Sequence, residues 1–357
     1  MAFSFKNMTI AATALACAVT FTAPAQAAEK TDFRIAWTIY AGWMPWPYAQ
    51  EVGIVKKWAD KYGIKITLVQ VNDYVESVNQ YTAGKFDGVT VANMDALTIP
   101  AAGGVDTTAL LIGDYSNGND GVVLKKAKSL KDIKGQKINL VELSVSHYLL
   151  ARALDSVNLS EKDVKTVNTS DADIVGAAAS PNVTAVVTWN PQLSEVLKNP
   201  EMTEVFDSSK IPGEIMDLTV VNSQTLKDNP KLGKALAGAW YETMALMTRN
   251  DEAGKAARAE MAKLSGTDLR GFESQLKTTF LYADPKAAAA FTRSPEAFKA
   301  MDLVRSFSFE HHLLGDGAKS KDVVGISFPG GKVLGDTKNV KLRFDDTYEQ
   351  LAADGKL

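Results

Sequence analysis

The sequence is poor in the residues that do covalent chemistry. Its 357 residues include one cysteine, Cys17, and three histidines, His147, His311 and His312. Cys17 falls in a segment read below as a removed leader, so the mature chain has no thiol. That excludes a disulfide, a cysteine nucleophile and a thiolate metal site. No HExxH, Walker or dinucleotide-type glycine motif occurs. An excess of positive charge is lacking too: 39 Lys and Arg face 42 Asp and Glu, a formal net charge of −3. Phosphate backbones and anionic membrane surfaces attract basic proteins, so neither nucleic acid nor membrane is an expected partner. Past the N-terminus no apolar run reaches the roughly 18 residues that a spanning helix needs. Internal repeats and low-complexity tracts are also missing.

What is there reads as a large exported protein. Apolar residues make up 46% and charged residues 23%, close to the average of soluble globular chains. The length suits two domains better than one. Lys6, the apolar stretch 8–21 and the small residues Ala25 and Ala27 form a secretory leader over 1–27, cut before Ala28. Lipid attachment at Cys17 is not expected, because Ala14 stands where a leucine-like residue is required.

Behind the leader, apolar runs alternate with helical patterns. Strands are expected at 33–38, 64–71, 88–92 and 110–114, and helices over 47–61, 73–82 and from 93 to about 103. The polar stretch 114–121 interrupts the pattern and reads as a hinge. A second set follows, with strands at 137–142, 164–167 and 185–188. Its helices are expected at 146–157, 171–179 and 191–198, the last with Asn190 as N-cap. An apolar strand at 218–221 leads back, and helices fill 231–249, 252–264, 269–279, 285–291 and 295–312. His311 and His312 end the last of these, where the helix dipole accounts for them. The tail from 315 is rich in glycine and lysine and yields no assigned element, and its GGKVLGDTK segment reads as loop. The expected class is α/β with two lobes: 28–115, a hinge at 116–121, 122–217, a return over 218–314, and a C-terminal extension at 315–357. In open α/β sheets ligands bind at the carboxyl ends of strands, which here face an interlobe cleft.

Five segments carry a family resemblance: WTIYAGWMPW, YTAGKFDGVTVANMDAL, GDYSNGNDGVVLK, LSVSHYLLARAL and VVTWNPQLSEVL. In these the chain resembles the nitrate/sulfonate/taurine type of periplasmic substrate-binding protein that serves ABC importers. The loop with Trp37, Trp43 and Trp46, and NMDALTIPAAGGVDTTALL, resemble the subgroup encoded beside urea carboxylase and linked to urea or guanidine. The resemblance implies a type II periplasmic binding fold that closes on a small-molecule ligand, with extra C-terminal helices. It implies no catalysis, no cofactor and no metal. It also implies a periplasmic monomer whose partners are an ABC permease and its ATPase. By position, the ligand would meet Tyr40, Trp43 and Trp46; Asn93 and Asp95; Ser116 and Asp120; Glu142, Ser144 and His147; Trp189 and Asn190; and Asp217. Relatives often have an acid where Asn190 stands, so no charge is expected there.

The residues themselves favour one kind of ligand. From Val71 to Leu124 there are seven acids, Asp73, Glu76, Asp87, Asp95, Asp106, Asp114 and Asp120, against Lys85 alone. Asp73, Glu76, Asp87 and Asp106 are expected at the surface or as helix caps. A nitrate or sulfonate pocket calls for an Arg or Lys clamp, which the candidate loops lack, although Ser144 and Ser146 at a helix start keep an anion open. Aromatic rings in the 40–46 loop suit a planar nitrogen compound. Guanidinium would need carboxylates, expected from Asp95, Glu142 and Asp120; urea would also use an amide such as Asn93 or Asn190. Trp37 and Trp240 are expected in the core. The alternatives are a binding protein for a small anion, a receptor-coupled sensor, and an enzyme like the thiamin-pyrimidine synthases. The enzyme depends on a cysteine-rich motif that this chain lacks.

Overall fold

A computed structural model of the chain describes residues 1–2 and 30–357. Apart from Met1 and Ala2, the expected leader and its Cys17 lie outside the described residues. No helix among the described residues is long and apolar enough to cross a membrane.

The first strands are β1 (Asp32–Trp37), β2 (Lys65–Gln70), β3 (Gly88–Ala92) and β4 (Thr107–Ser116). The first half of β1 and most of β2 alternate buried and exposed residues, whereas β3 is buried throughout, as a strand covered on both faces must be. The chain then crosses into a second sheet. There it forms β5 (Asp120–Lys125), β6 (Lys137–Leu140), β7 (Lys165–Asn168), β8 (Ala185–Trp189) and β9 (Met202–Asp207). β10 (Met216–Asn222) brings it back. β11 (Thr279–Leu281), β12 (Gly325–Phe328), β13 (Lys332–Leu334) and β14 (Val340–Phe344) extend the first sheet. The spatial orders are β13-β12-β14-β4-β10-β3-β1-β2, with β11 also on β4, and β7-β6-β8-β5-β9.

Both sheets follow one plan. Three parallel strands stand side by side, the lobe's second, first and third (β2-β1-β3 and β7-β6-β8). Next comes one antiparallel strand that has just crossed from the other lobe, β10 in the first sheet and β5 in the second. Because the crossing strands run antiparallel, their first residues lie at the same edge as the carboxyl ends of their neighbours. Asp120 opens β5, and Asp217 is the second residue of β10. The two crossings are wired together: Ser116 and Ser208 hydroxyls are 2.6 Å apart, Gly118 N donates to Ser208 Oγ at 2.7 Å, and Asn119 Nδ2 donates to Thr279 Oγ1 at 2.6 Å.

The structure departs from the expected elements in several places. The helix expected over 47–61 is two, Pro45–Glu51 and Ile54–Lys61, parted at Gly53, whose φ of 81° favours glycine. The tail from 315 packs on the first sheet. Leu342 of β14 pairs with Thr107 of β4, and the helix Thr347–Ala353 sends Glu349 to Ile112 N at 2.9 Å. Part of its GGKVLGDTK segment is strand β13, not loop. Finally, β9, an edge strand with mixed exposure, had no expectation of its own.

Candidate ligand-binding site

The shared plan of the two sheets brings several chain segments to one point. Tyr40 and Trp43 follow β1. Tyr74 opens the helix Tyr74–Thr82 after β2, where Asp73 caps it by accepting from Glu76 N at 2.8 Å. Ala92 ends β3, Trp189 ends β8, and Val145 opens the helix Val145–Ser156. With Asp120, Ile215 and Asp217 these residues enclose a cavity in which water centres can occupy about 20 Å³, little more than one water needs. The lobes meet across it. Tyr74 stands edge-on to Trp189 at 5.7 Å, Tyr74 N donates to Asp171 Oδ1 at 3.2 Å, and Val145 N reaches Asp95 Oδ2 at 3.4 Å. This is a closed cleft around a small space.

Four carboxyl groups are buried here: Asp95, Asp114, Asp120 and Asp217. Strand register forces the company. Asp217 stands opposite Ala92 on one side and Asp114 on the other, and Asp120 stands opposite Trp189. Like charges facing each other across a ladder repel. Burial pushes Asp95 and Asp114 up to about 7 and Asp120 up to about 6. Asp217 is pushed well above the usual carboxylate range by burial and by the neighbouring Asp114 and Asp120, and it lies close enough to Asp114 to share a proton. Neutral donors relieve part of the cost: Tyr40 OH donates to Asp114 Oδ1 at 2.8 Å, and Tyr74 OH to Asp95 Oδ2 at 2.6 Å. Asp95 Oδ1 and Asp114 Oδ2 have no such donor among the described residues. Among the described residues no cation contributes to the surroundings of any of the four.

The walls are aromatic. Tyr40 meets Trp43 edge-on at 5.1 Å, and Trp43 lies 6.0 Å from Tyr74. Trp43 Nε1 has no acceptor among the described residues. Gly42 keeps the packing possible, since a Cβ there would come within 2.3 Å of Asp114 Oδ2. Rings surrounding unpaired carboxyls form a cage suited to a small cation, which gains from both ring faces and carboxylates.

Of the residues implied by resemblance, Tyr40, Trp43, Asp120, Trp189 and Asp217 line this cavity, and Asp95 adjoins it through Tyr74. Trp46 does not. It sits in the helix Pro45–Glu51, is 1% exposed, donates Nε1 to Thr219 Oγ1 at 3.2 Å and packs on Trp240 at 5.0 Å. Trp46 is therefore core, because the turn between it and Trp43 sends the two rings apart. Asn93 pins the return crossing, donating to Glu214 O at 3.0 Å and accepting from Met216 N at 3.2 Å. Ser116 holds Ser208, and Ser144 caps the helix Val145–Ser156. Asn190 Oδ1 accepts from Ser194 N at 3.1 Å. Glu142 is outside the lining, half-exposed, with its amide on Asn168 Oδ1. His147 turns away toward Glu161, and His311 joins it there, so the dipole explanation of His311 gives way to a side-chain partner. Tyr74 and Asp114 were not singled out. Tyr74 looks like any aromatic residue on a helix, and Asp114 was one acid among seven.

The family model described as NMT1/THI5 like matches residues 50–253. The chain belongs to that family. A Brucella abortus protein described as a candidate binding protein is 25% identical over 262 residues, covering 72% of this chain and 79% of the relative. The alkanesulfonate-binding protein from Xanthomonas axonopodis pv. citri, solved bound to MOPS, superposes with a TM-score of 0.66 at 17% identity, over 81% of this chain and 96% of that one. The periplasmic nitrate-binding protein from Synechocystis gives 0.58 at 13% identity, over 92% and 99%. These likenesses show the fold: two α/β lobes of the type II periplasmic binding kind, with additional C-terminal helices.

Proposed function

We propose that the chain is the solute-binding component of an ABC importer, working as a periplasmic monomer that delivers a small ligand to a permease with its ATPase. We further propose that the ligand is a small planar nitrogen cation of the guanidinium type, with neutral urea as its nearest competitor. One observation carries the choice: two buried carboxyls, Asp120 and Asp217, line an aromatic-walled cavity, two more, Asp95 and Asp114, stand behind its tyrosines, and no cation among the described residues serves any of the four. A guanidinium ion offers only donors, in one plane, and needs acceptors at its edge and rings on its face. The reading is of a binding protein, not an enzyme. The cleft holds neither a nucleophile next to a base nor a metal-ligand set.

A second reading, a small anion, has support from the descriptions of the sulfonate- and nitrate-binding proteins that share the fold. Here the first amide of the helix start that would hold an anion is already engaged, since Val145 N donates to Asp95, while Ser146 Oγ is buried without a partner among the described residues. Calorimetric titration of the mature protein with guanidinium, urea, taurine and nitrate decides. Guanidinium is expected to bind tightest. Tight binding of nitrate or taurine, with neither nitrogen compound competing, would overturn the proposal.

A further inference from the structure

Two of the chain's three histidines meet one carboxylate away from the cleft. His147 lies in the first turn of the helix Val145–Ser156, Glu161 starts a short turn after that helix, and His311 caps the helix Pro295–Glu310. One ligand atom from each lies within 4.8 Å of the others. Both histidines contact Glu161 through Nε2, one at each carboxylate oxygen. Phe307 fixes the rings, stacking on His311 at 3.9 Å and meeting His147 edge-on at 6.0 Å. His311 Nδ1 donates to Phe307 O at 2.9 Å, so Nε2 faces Glu161, donating a proton to it in the metal-free protein. A backbone carbonyl holding the far nitrogen is the usual support of a metal-binding histidine. Glu161 and His311 also border a cavity of about 300 Å³ with Ser160 and Arg152, which leaves room for water or another ligand.

We propose that His147, Glu161 and His311 bind a divalent transition metal of the zinc class, with the remaining position open to that cavity. Two imidazoles and one carboxylate are a donor set that zinc accepts, at about 2.0–2.2 Å from each atom. The site joins a lobe-two helix to the helix Pro295–Glu310, whose preceding neighbours belong to the return segment. A metal takes the place of the protons that now bridge each Nε2 to Glu161, and it costs one further contact: Leu143 N donates to His147 Nδ1 at 3.1 Å, and must turn to solvent when that nitrogen carries the proton. Leu143 is 48% exposed in a turn with φ 61°, so its amide has water within reach.

The test uses untagged mature protein stripped with a chelator, then titrated with zinc against a chromophoric competitor and with cobalt followed by absorption. One zinc per chain is expected, and cobalt is expected to give the intense visible bands of a low-coordinate site. Glu161→Gln and His311→Ala should each weaken zinc by at least about tenfold, and His312→Ala should leave it unchanged. Thermal melts check that each variant folds. If His311→Ala does not fold, the near-isosteric Glu161→Gln decides alone. No stoichiometric zinc uptake by the wild type, or uptake that survives Glu161→Gln, overturns the proposal.

Discussion

The four acids of the cleft and two acids outside it, Asp106 and Glu214, are treated in opposite ways. Asp106 meets Arg343 in a two-pronged bridge, Nε to Oδ1 at 2.7 Å and Nη2 to Oδ2 at 2.6 Å. Burial pushes Asp106 up, yet Arg343 and Ser223 hold it below the usual carboxylate range. Glu214 takes Arg152 at 2.8 and 3.0 Å and the Tyr148 hydroxyl at 2.6 Å. Asp95, Asp114, Asp120 and Asp217 are more deeply buried and have only hydroxyl and amide donors and each other. Asp106 and Glu214 are each met by an arginine, and the four cleft acids by no cation among the described residues. The partner they lack is the one a cationic ligand would bring.

The largest effect should come from deleting charge on each side of this contrast. Asp217→Asn or Asp120→Asn is expected to weaken guanidinium binding by about 10- to 100-fold, since hydrogen bonds to ions contribute about 1.5–3 kcal/mol. The same change should leave the ligand-free protein as stable or more stable, because it relieves repulsion. Arg152→Met should do the reverse: unchanged affinity, and a loss of about 1–3 kcal/mol in stability from stranding Glu214. Calorimetry and thermal melts read both. A destabilised Asp217→Asn with normal affinity would erase the contrast.

Acidity gives the next effect. In the folded protein Asp95 and Asp114 sit at about 7 and Asp120 at about 6, whereas unfolded aspartates titrate near 4. Between these values the folded state holds protons that the unfolded state has released, so ligand-free stability falls as pH rises from about 4 to 7. Guanidinium binding should move the other way, strengthening by about tenfold or more from pH 5 to 8 as the carboxyls ionise. An anion bound in the same place would weaken over that range. Melting curves with and without ligand across pH separate the two.

Ring contacts should contribute less than charge. Trp43→Ala is expected to weaken a cation by about 2- to 30-fold, the equivalent of about 0.5–2 kcal/mol of cation–π attraction. Equal losses for guanidinium and for an aliphatic amide would mean that Trp43 acts through shape alone.

Much of the fold was legible because its signals are local. β3 falls on its expected residues, and the helix Glu252–Leu264 matches its expected bounds. The carboxyl-end rule pointed to an interlobe cleft, and the family resemblance named Trp189, Asp120 and Asp217 as residues facing it. What stayed hidden depends on pairings distant in sequence. β14 gains its place only by lying beside β4, and the Gly- and Lys-rich turns around it mask its short apolar run. The pairing of Asp217 with Asp114 is a matter of register between strands about a hundred residues apart in the chain. Composition gave no way to tell Trp43 from Trp46, because one turn of backbone decides which ring faces the cavity and which faces Trp240. Glu142 looked as apt as Asp217, and only the inserted antiparallel strand puts Asp217 at the cavity.

The smallest effect belongs to a buried acid that is fully served by neutral groups. Glu349 is 1% exposed, and burial pushes it up to about 8 although Ile112 N and Thr292 hydroxyl act against that. Oε1 accepts from Ile112 N at 2.9 Å, Oε2 contacts Thr292 Oγ1 at 2.9 Å, and that hydroxyl lies 3.1 Å from Ala288 O. With a proton on Oε2 the chain of bonds closes: Glu349 donates to Thr292, which donates to Ala288 O. Gln reproduces this pattern, with its carbonyl toward Ile112 and its amide toward Thr292. Glu349→Gln should therefore change stability little near pH 5 and leave guanidinium affinity alone. In the wild type, stability falls as pH rises from the unfolded value near 4.5 toward about 8, because the unfolded state releases the proton first. The variant lacks that loss, so at pH 8 its melting point should exceed the wild type's by a few degrees, about 2–4 °C per kcal/mol for domains of this order of size. Equal melting points at pH 8 would mean that water reaches Glu349. Glu349 would then ionise in place without a cation, and the acids of the cleft, free to do the same, would no longer single out a cationic ligand.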